Sequence, residues 1–283
     1  MRILITGSKG FLAYFLIQKF KINNKVFKLD LPNFDILNFS KINNFIKKIK
    51  PDLIIHTAAA KGANRSNLDP KKFIDVNSFG TLNICESMRI NKVKKLVYIS
   101  SCSFYKRKKT EIFEDDSISN NTPYGFGKYI GELIVNYYSN KYLINSIALR
   151  PNLITGNKLK QDNLFFDIIK EVTTKGTATI FGNGLHEREF IHPNDIYLAI
   201  KMWIKKKNKE KFEYYNISNN RFSIINAVKK TLNFLKKGKI IYKKKNLSTF
   251  SVRLNCKKIK NKLGWKPNYD LNYIIKDNYE AFK

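Results

Sequence analysis

Arg2-Ile-Leu-Ile-Thr6, a short apolar run rich in β-branched residues, passes directly into Gly7-Ser-Lys-Gly10-Phe-Leu-Ala13. From there Phe11, Leu12, Phe15, Leu16 and Phe20 recur at helical spacing. Strand, glycine turn and helix in this order put free N–H groups and the positive end of a helix dipole where a pyrophosphate can sit. Gly7 and Gly10 permit the tight turn and the close backbone approach, and Ala13 is small enough for the helix to pack on the strand. A second strand, Lys25-Val-Phe-Lys-Leu29, ends in Asp30. A carboxylate at that distance accepts both ribose hydroxyls of NAD and repels a 2′-phosphate. Glycine turns occur in every fold, so the reading of dinucleotide binding rests on the strand before, the helix after and the acid beyond.

Working outward, the alternation continues. A Lys- and Ile-rich helix leads to the strand Asp52-Leu-Ile-Ile-His56, and the next helix carries Asp75-Val-Asn77-Ser-Phe-Gly-Thr81. The strand Leu96-Val-Tyr-Ile-Ser100, a helix around Tyr124 and the strand Ile144-Asn-Ser-Ile-Ala-Leu149 follow. Strands separated by helices of this length predict an α/β fold with a doubly wound parallel sheet. After Arg150-Pro151 the alternation weakens, glycine-bearing loops intervene and the tail is helix- and lysine-rich. The expected division is a dinucleotide-binding domain over 1–156, with 189–221 returning to it, and a smaller, mostly C-terminal substrate lobe over 157–188 and 222–283.

Pro123-Tyr124-Gly-Phe-Gly-Lys128 adds chemistry. On a helix, residues i and i+4 share a face, so the Lys128 ammonium can lie near the Tyr124 phenol and favour its ionised form. Ser101, at a strand end, can hold a reacting oxygen by hydrogen bond. By itself a Tyr-x-x-x-Lys spacing describes many solvated helix faces; a dinucleotide turn upstream gives it meaning.

Composition bounds the alternatives. Among 283 residues, 53 Lys and Arg against 22 Asp and Glu give a net charge of +31, which invites a nucleic-acid or membrane-surface reading. Yet there are 45 Lys to 8 Arg, spread over almost every segment. Specific nucleic-acid sites lean on Arg for bidentate contacts, so runs such as Lys106–Lys109, Lys205–Lys207 and Lys243–Lys245 read as solvated loops, and no specific nucleic acid is expected. No stretch reaches the roughly 20 apolar residues of a membrane span, and the chain enters a strand at once, without a signal peptide. Cys85, Cys102 and Cys256 are scattered and His56, His186 and His192 form no ligand set. No metal and a reducing, cytoplasmic compartment are therefore expected.

The motifs then carry a resemblance. Thr6-Gly-Ser-Lys-Gly-Phe-Leu12, Lys50-Pro-Asp-Leu-Ile-Ile-His-Thr-Ala-Ala59, Tyr98-Ile-Ser-Ser101, Pro123–Lys128 with Glu132, Leu149-Arg-Pro151, Phe181-Gly-Asn-Gly184, Arg188-Glu-Phe-Ile-His192 with Asp195, and Leu263-Gly-Trp-Lys-Pro267 occur in order. In this the chain resembles the extended short-chain dehydrogenase/reductases, specifically their NAD-dependent nucleotide-sugar epimerase/dehydratase group, with a Rossmann domain. The resemblance implies Ser101, Tyr124 and Lys128 as catalytic residues. It implies Gly7, Gly10 and Phe11 at the pyrophosphate, Asp30 at the adenosine ribose, and Asp35 and Ile36 at the adenine. Ala58, Ala59 and Lys61 would pass beside the cofactor, as would Asn77, which reads equally as a structural amide inside its helix. Ser101, Ser103, Arg188 and Arg253 would touch substrate, Arg188 on its diphosphate. Asp195 reads as a helix cap, His192 as structural, and the Leu-Gly-Trp-x-Pro segment as packing in the small lobe. A homodimer through the Tyr124 helix is implied as well.

The implied chemistry is removal of a proton from a sugar hydroxyl at C4, with hydride passing to NAD. The 4,6-dehydratases of the group resemble one another in an Asp-Glu pair after the Ser or Thr; here Cys102-Ser103 stands there, which disfavours dehydration. Cys102 falls one position short of the extra acid/base cysteine of the keto-sugar reductases and reads as a buried structural residue. Asp30 favours NAD and a self-contained redox cycle; Lys9 in the turn leaves NADP open. The expectation is an NAD-dependent nucleotide-sugar epimerase of surface-polysaccharide or sugar-nucleotide biosynthesis. An NADPH-dependent 4-keto-6-deoxysugar reductase is the alternative, and a non-catalytic sensor or nucleic-acid-associated protein stands below it.

Overall fold

The computed structural model describes residues 1–119, 121–159, 163–206, 210–244 and 253–283; of the lysine runs, Lys207 and Lys245 lie outside them. The chain begins with β1 (Arg2–Thr6), α1 (Phe11–Phe20), β2 (Lys25–Leu29), α2 (Phe39–Ile49), β3 (Leu53–His56), α3 (Ala63–Ser66) and α4 (Pro70–Ile74). A π-helical turn (Asp75–Phe79) leads into α5 (Gly80–Ile90), β4 (Lys95–Ile99), α6 (Pro123–Tyr142) and β5 (Asn145–Pro151). Then come β6 (Leu153–Ile154), α7 (Leu164–Lys175), β7 (Thr177–Phe181), β8 (Glu187–Ile191), α8 (Pro193–Lys205) and β9 (Phe212–Ile217). The last elements are β10 (Asn220–Ser223), α9 (Ile224–Leu235), β11 (Lys239–Lys243), α10 (Lys257–Leu263) and α11 (Leu271–Glu280).

Six parallel strands in the order β2-β1-β3-β4-β5-β9 form the central sheet. Successive side chains on a strand point to opposite faces, and here both faces are covered. Ile3, Ile5, Ile55, Val97 and Leu149 pack on Leu16 of α1 and Ile196 and Trp203 of α8. Leu4, Ile54, Leu96 and Tyr98 pack on Ile42 of α2, Ile84 of α5 and Val135 of α6. Burial on both sides is why the strands read as unbroken apolar runs. The strand order reverses between β1 and β3, which opens a crevice beyond their C-terminal ends.

Two small sheets, β10-β8-β6 and β11-β7, lie outside the central one. Phe165, Phe190, Phe222 and Ile274 form one apolar cluster there, and Ile168, Val172, Ile180 and Val228 another. The expected boundaries at 156/157 and 188/189 fall within or beside the sheet β10-β8-β6, since β6 and β8 pair there; β9 lies in the central sheet beside β5. The lobe therefore holds more strand than a helix-rich tail suggests; strands of two to five residues leave little period-2 signal.

Three expectations need correction. Trp265 packs not in the lobe but with α8 on the sheet side, and its indole N–H donates to the Asp195 carbonyl at 3.0 Å. His192, not Asp195, caps α8, its Nδ1 accepting from the Asn194 N–H at 3.2 Å. The Asp195 carboxylate instead accepts from the backbone N–H groups of Asn268 and Tyr269. Finally, the single helix expected around Asn77 is interrupted by the π-helical turn at Asp75–Phe79. Gly127 and Gly131 of α6 press against that widened turn: a Cβ on Gly127 would meet the Asn77 Cβ at 3.0 Å. Among the described residues, no helix is long and apolar enough to cross a membrane, and no group of three His, Cys, Asp or Glu is placed to hold a metal.

Candidate active site

A cleft of ≈ 1360 Å³ opens at the C-terminal ends of β1, β3 and β4. Gly7, Gly10, Phe11, Asp30, Asp35 and Ile36 line one side of it, followed by Ala58, Ala59 and Lys61. Gly7 has φ +64°, and a Cβ there would stand 2.7 Å from the Ala58 Cα, so only glycine lets β1 and β3 part at this point. Gly10 donates to the Gly7 carbonyl at 2.8 Å and starts α1 without a side-chain cap, which leaves first-turn N–H groups for a ligand. The Asp30 carboxylate accepts from the Lys9 N–H at 2.6 Å and the Leu31 N–H at 2.7 Å. Both oxygens retain lone pairs, and the acid is held where β2 ends. A glycine cradle, an uncapped helix start and an oriented carboxylate together fit a dinucleotide with a free ribose 2′-hydroxyl.

Ser101, Ser103, Tyr124, Lys128 and Arg188 line the other end of the same cleft. β4 delivers Ser101, whose Oγ donates to Ser103 Oγ at 2.9 Å and accepts from the Ser103 N–H at 3.1 Å. α6 delivers the tyrosine and lysine from its first two turns. Thr122 caps that helix by accepting from the Gly125 N–H at 3.0 Å, and Pro123 pre-sets its first φ angle. Burial pushes the Tyr124 phenol above its ordinary pKa, and the Ser101 hydroxyl pulls it back. Lys128 is itself buried, and its pKa falls to about 7 against the opposing pull of Glu132. On spacing alone the lysine activates the tyrosine; in the folded chain desolvation acts against both charges.

The surroundings of Lys128 were not legible in advance. Its Nζ lies over the Tyr98 ring, 4.2 Å from the centroid, and the Tyr98 hydroxyl donates to the Lys128 carbonyl at 3.1 Å. One turn on, Glu132 accepts from Ser100 Oγ at 2.5 Å and pairs with Arg150, also at 2.5 Å, with both side chains nearly inaccessible. Arg150 also donates to the Tyr105 hydroxyl and the Glu114 carbonyl. One buried carboxylate, Glu132, neutralised by Arg150 of β5, thus ties the strand end holding Ser100-Ser101 to the helix holding Lys128. The available signal was a charged residue at the end of the apolar strand Ile147-Ala-Leu149, which needs a buried partner.

Two expected site residues are not brought to the cleft. Asn77 is buried and spends its amide on Ala60, donating to its carbonyl at 3.1 Å and accepting from its N–H at 2.9 Å. It shapes the backbone beside Ala58 and Ala59 from behind. Arg253 pairs with Glu187 at 3.1 Å, which Arg221 also engages.

A sequence profile of the NAD dependent epimerase/dehydratase family matches residues 3–218. The chain belongs to this family. It is 26% identical over 276 residues to the UDP-glucose 4-epimerase of Mycoplasma genitalium, covering 88% of this chain and 81% of that protein. It is 28% identical over 247 residues to the UDP-glucuronate 4-epimerase of Thermodesulfobacterium geofontis, covering 86% and 76%. Among solved structures, UDP-glucuronic acid 4-epimerase from Bacillus cereus, in complex with UDP-glucuronic acid and NAD, superposes with TM-score 0.87 at 23% identity, over 99% of this chain and 98% of that one. UDP-glucose 4-epimerase from Thermotoga maritima with UDP-glucose does so at 0.89 and 20%, over 100% and 98%. These structural likenesses establish a shared Rossmann-type fold.

Proposed function

We propose that this family member is an NAD-dependent 4-epimerase of a UDP-linked sugar, with Tyr124 as its proton-transfer residue. One observation carries the reading: Ser101, Tyr124 and Lys128 converge in the cleft whose far end is built by Gly7, Gly10 and Asp30. The names of the epimerase relatives supply the substrate class. Gly7, Gly10 and Asp30 would hold NAD along that end, where it would supply a hydride acceptor and donor. Tyr124 Oη takes the proton from the sugar 4-hydroxyl and returns it after the sugar has turned its other face. Ser101 Oγ holds that oxygen by hydrogen bond, and the Lys128 ammonium stabilises the phenolate. Arg188 lines both the main cleft and a second one of ≈ 570 Å³, which suits a diphosphate at the junction. Leu164, Ile168, Phe181 and Phe190 give the second cleft apolar walls for the nucleoside.

Cys102 and Ser103 follow the catalytic serine, so no second acid–base pair for water elimination stands there. Asp30 opposes a 2′-phosphate, which weighs against an NADPH-fed reductase, and a role in polysaccharide assembly is a proposal from the resemblance alone. The homodimer belongs to the same proposal: Phe126, Leu133 and Tyr137 leave one side of α6 apolar and exposed, and light scattering of the purified protein would report its mass.

Tyr124→Phe is the test of function. It removes a proton acceptor without altering the glycine cradle, so NAD binding should persist while turnover of UDP-glucose or UDP-glucuronate falls by about 100-fold or more. Undiminished turnover would remove Tyr124 from the chemistry; a wild type that holds NAD but turns over neither sugar would overturn the substrate class.

A further inference from the structure

Arg107 lies in the segment that follows Ser103 and Tyr105, and it lines the main cleft together with Arg188. Its neighbour Lys108 is neutralised by Asp116 at 2.5 Å. Neither Arg107 nor Arg188 has a carboxylate partner among the described residues. The two acids beside Arg188 are committed elsewhere. Glu187 is shared by Arg221 and Arg253. Glu189 accepts from the Leu254 N–H at 3.0 Å, and burial raises its pKa. The two guanidiniums feel each other: loss of solvation in the cleft, then the charge of Arg107, holds Arg188 below its ordinary pKa. The Cys102 thiol, next to the catalytic serine, also feels Arg107. Like charges without acids between them suit an anion, and two planar forks can clasp one oxyanion.

We propose that Arg107 is a second oxyanion-binding residue, closing with Arg188 on one phosphate or carboxylate of the bound ligand. This rests on the nucleotide-sugar reading above and adds a residue to it. Two groups of such a ligand share the required chemistry: the diphosphate, and an acidic C6 on the sugar. Placement just beyond Ser103 puts Arg107 on the sugar's side of the junction that Arg188 marks.

Calorimetric titration of the NAD-loaded protein with UDP, UDP-glucose and UDP-glucuronate separates these sources, using Arg107→Ala and Arg107→Lys. Lys109→Ala, which removes the same charge from an exposed site outside the cleft, controls for long-range attraction. Arg107→Ala should weaken binding about tenfold or more, with Arg107→Lys recovering part of it and Lys109→Ala changing it less than about twofold. Equal loss for all three ligands assigns the site to the diphosphate; loss confined to UDP-glucuronate assigns it to the carboxylate. Wild-type binding that Arg107→Ala leaves intact, or that Lys109→Ala weakens as much, overturns the proposal while leaving the nucleotide-sugar reading standing. A wild type that binds none of the three overturns both.

Discussion

Lys128 brings a conflict between stability and chemistry down to one atom. An unfolded lysine is charged up to a pKa near 10.5, whereas burial lowers the folded value to about 7. Between those values the unfolded chain binds a proton that the folded chain does not, so folding stability gains as pH rises through the window. Below pH 7 both states carry the charge and the folded state bears its desolvation. Lys128→Met removes that cost, so it should unfold at higher urea than the wild type at pH 6–7, with the gap narrowing towards pH 10. Parallel urea midpoints at all pH values would show that Lys128 keeps its charge through compensation by Tyr98 and Glu132. Tyr124 and Lys128 could be found in the sequence because their relation is local, four residues along one helix. Arg150 with Glu132, and Asn77 with Ala60, meet at sequence separations of 18 and 17. Arg107 and Arg188 are farther apart still, and only the folded chain brings them to one cleft.

At the scale of elements, α6 does two jobs with neighbouring rows of one face of its first three turns. Tyr124 and Lys128 look into the cleft, while Gly127 and Gly131 let the helix settle onto the π-helical turn. A Cβ on Gly131 would press into the Tyr98 hydroxyl and meet the Asn77 carbonyl oxygen at 2.6 Å. Alanine is favoured over glycine inside a helix by about 1 kcal/mol, but overpacking here costs about 1–3 kcal/mol. Gly131→Ala should therefore lower the urea midpoint. A raised midpoint would mean that helix propensity wins and that the close approach has slack. The strands and helices of the sheet were legible because burial on both faces writes long apolar runs and 3.6-residue periods. The π-helical turn was not, because one extra residue per turn leaves no distinct pattern in composition.

Across the whole molecule, one buried contact joins the dinucleotide half to the C-terminal helix. His192, fully inaccessible, packs edge-on to Phe15 of α1 and stacks on Tyr269, with ring centroids 4.7 Å apart. Its Nε2 donates to Asp277 of α11 at 3.2 Å, since Nδ1 already accepts a backbone N–H. Asp277 in turn accepts from the Asn157 N–H and side-chain amide at 2.6 and 2.7 Å. Asp277→Ala leaves those donors without an acceptor, a loss of about 1–3 kcal/mol. Hydrogen exchange should quicken in residues 271–280 and around Asn157 while β1 and β3 keep their protection. Unchanged exchange in 271–280 would show that the aromatic stack alone carries the joint. The sequence marked His192 as structural, but it could not show that its partner lies 85 residues away.

The lobe's two apolar clusters share no residue with the two that flank the central sheet. That separation makes the molecule editable. The walls of the second cleft stand on packing of their own, so a designer can exchange them as a block for those of another sugar-nucleotide enzyme. The Glu132–Arg150 pair that joins the strand end before Ser101 to the Lys128 helix would never notice the graft, provided that Asp277 and its seat at Asn157 travel with it.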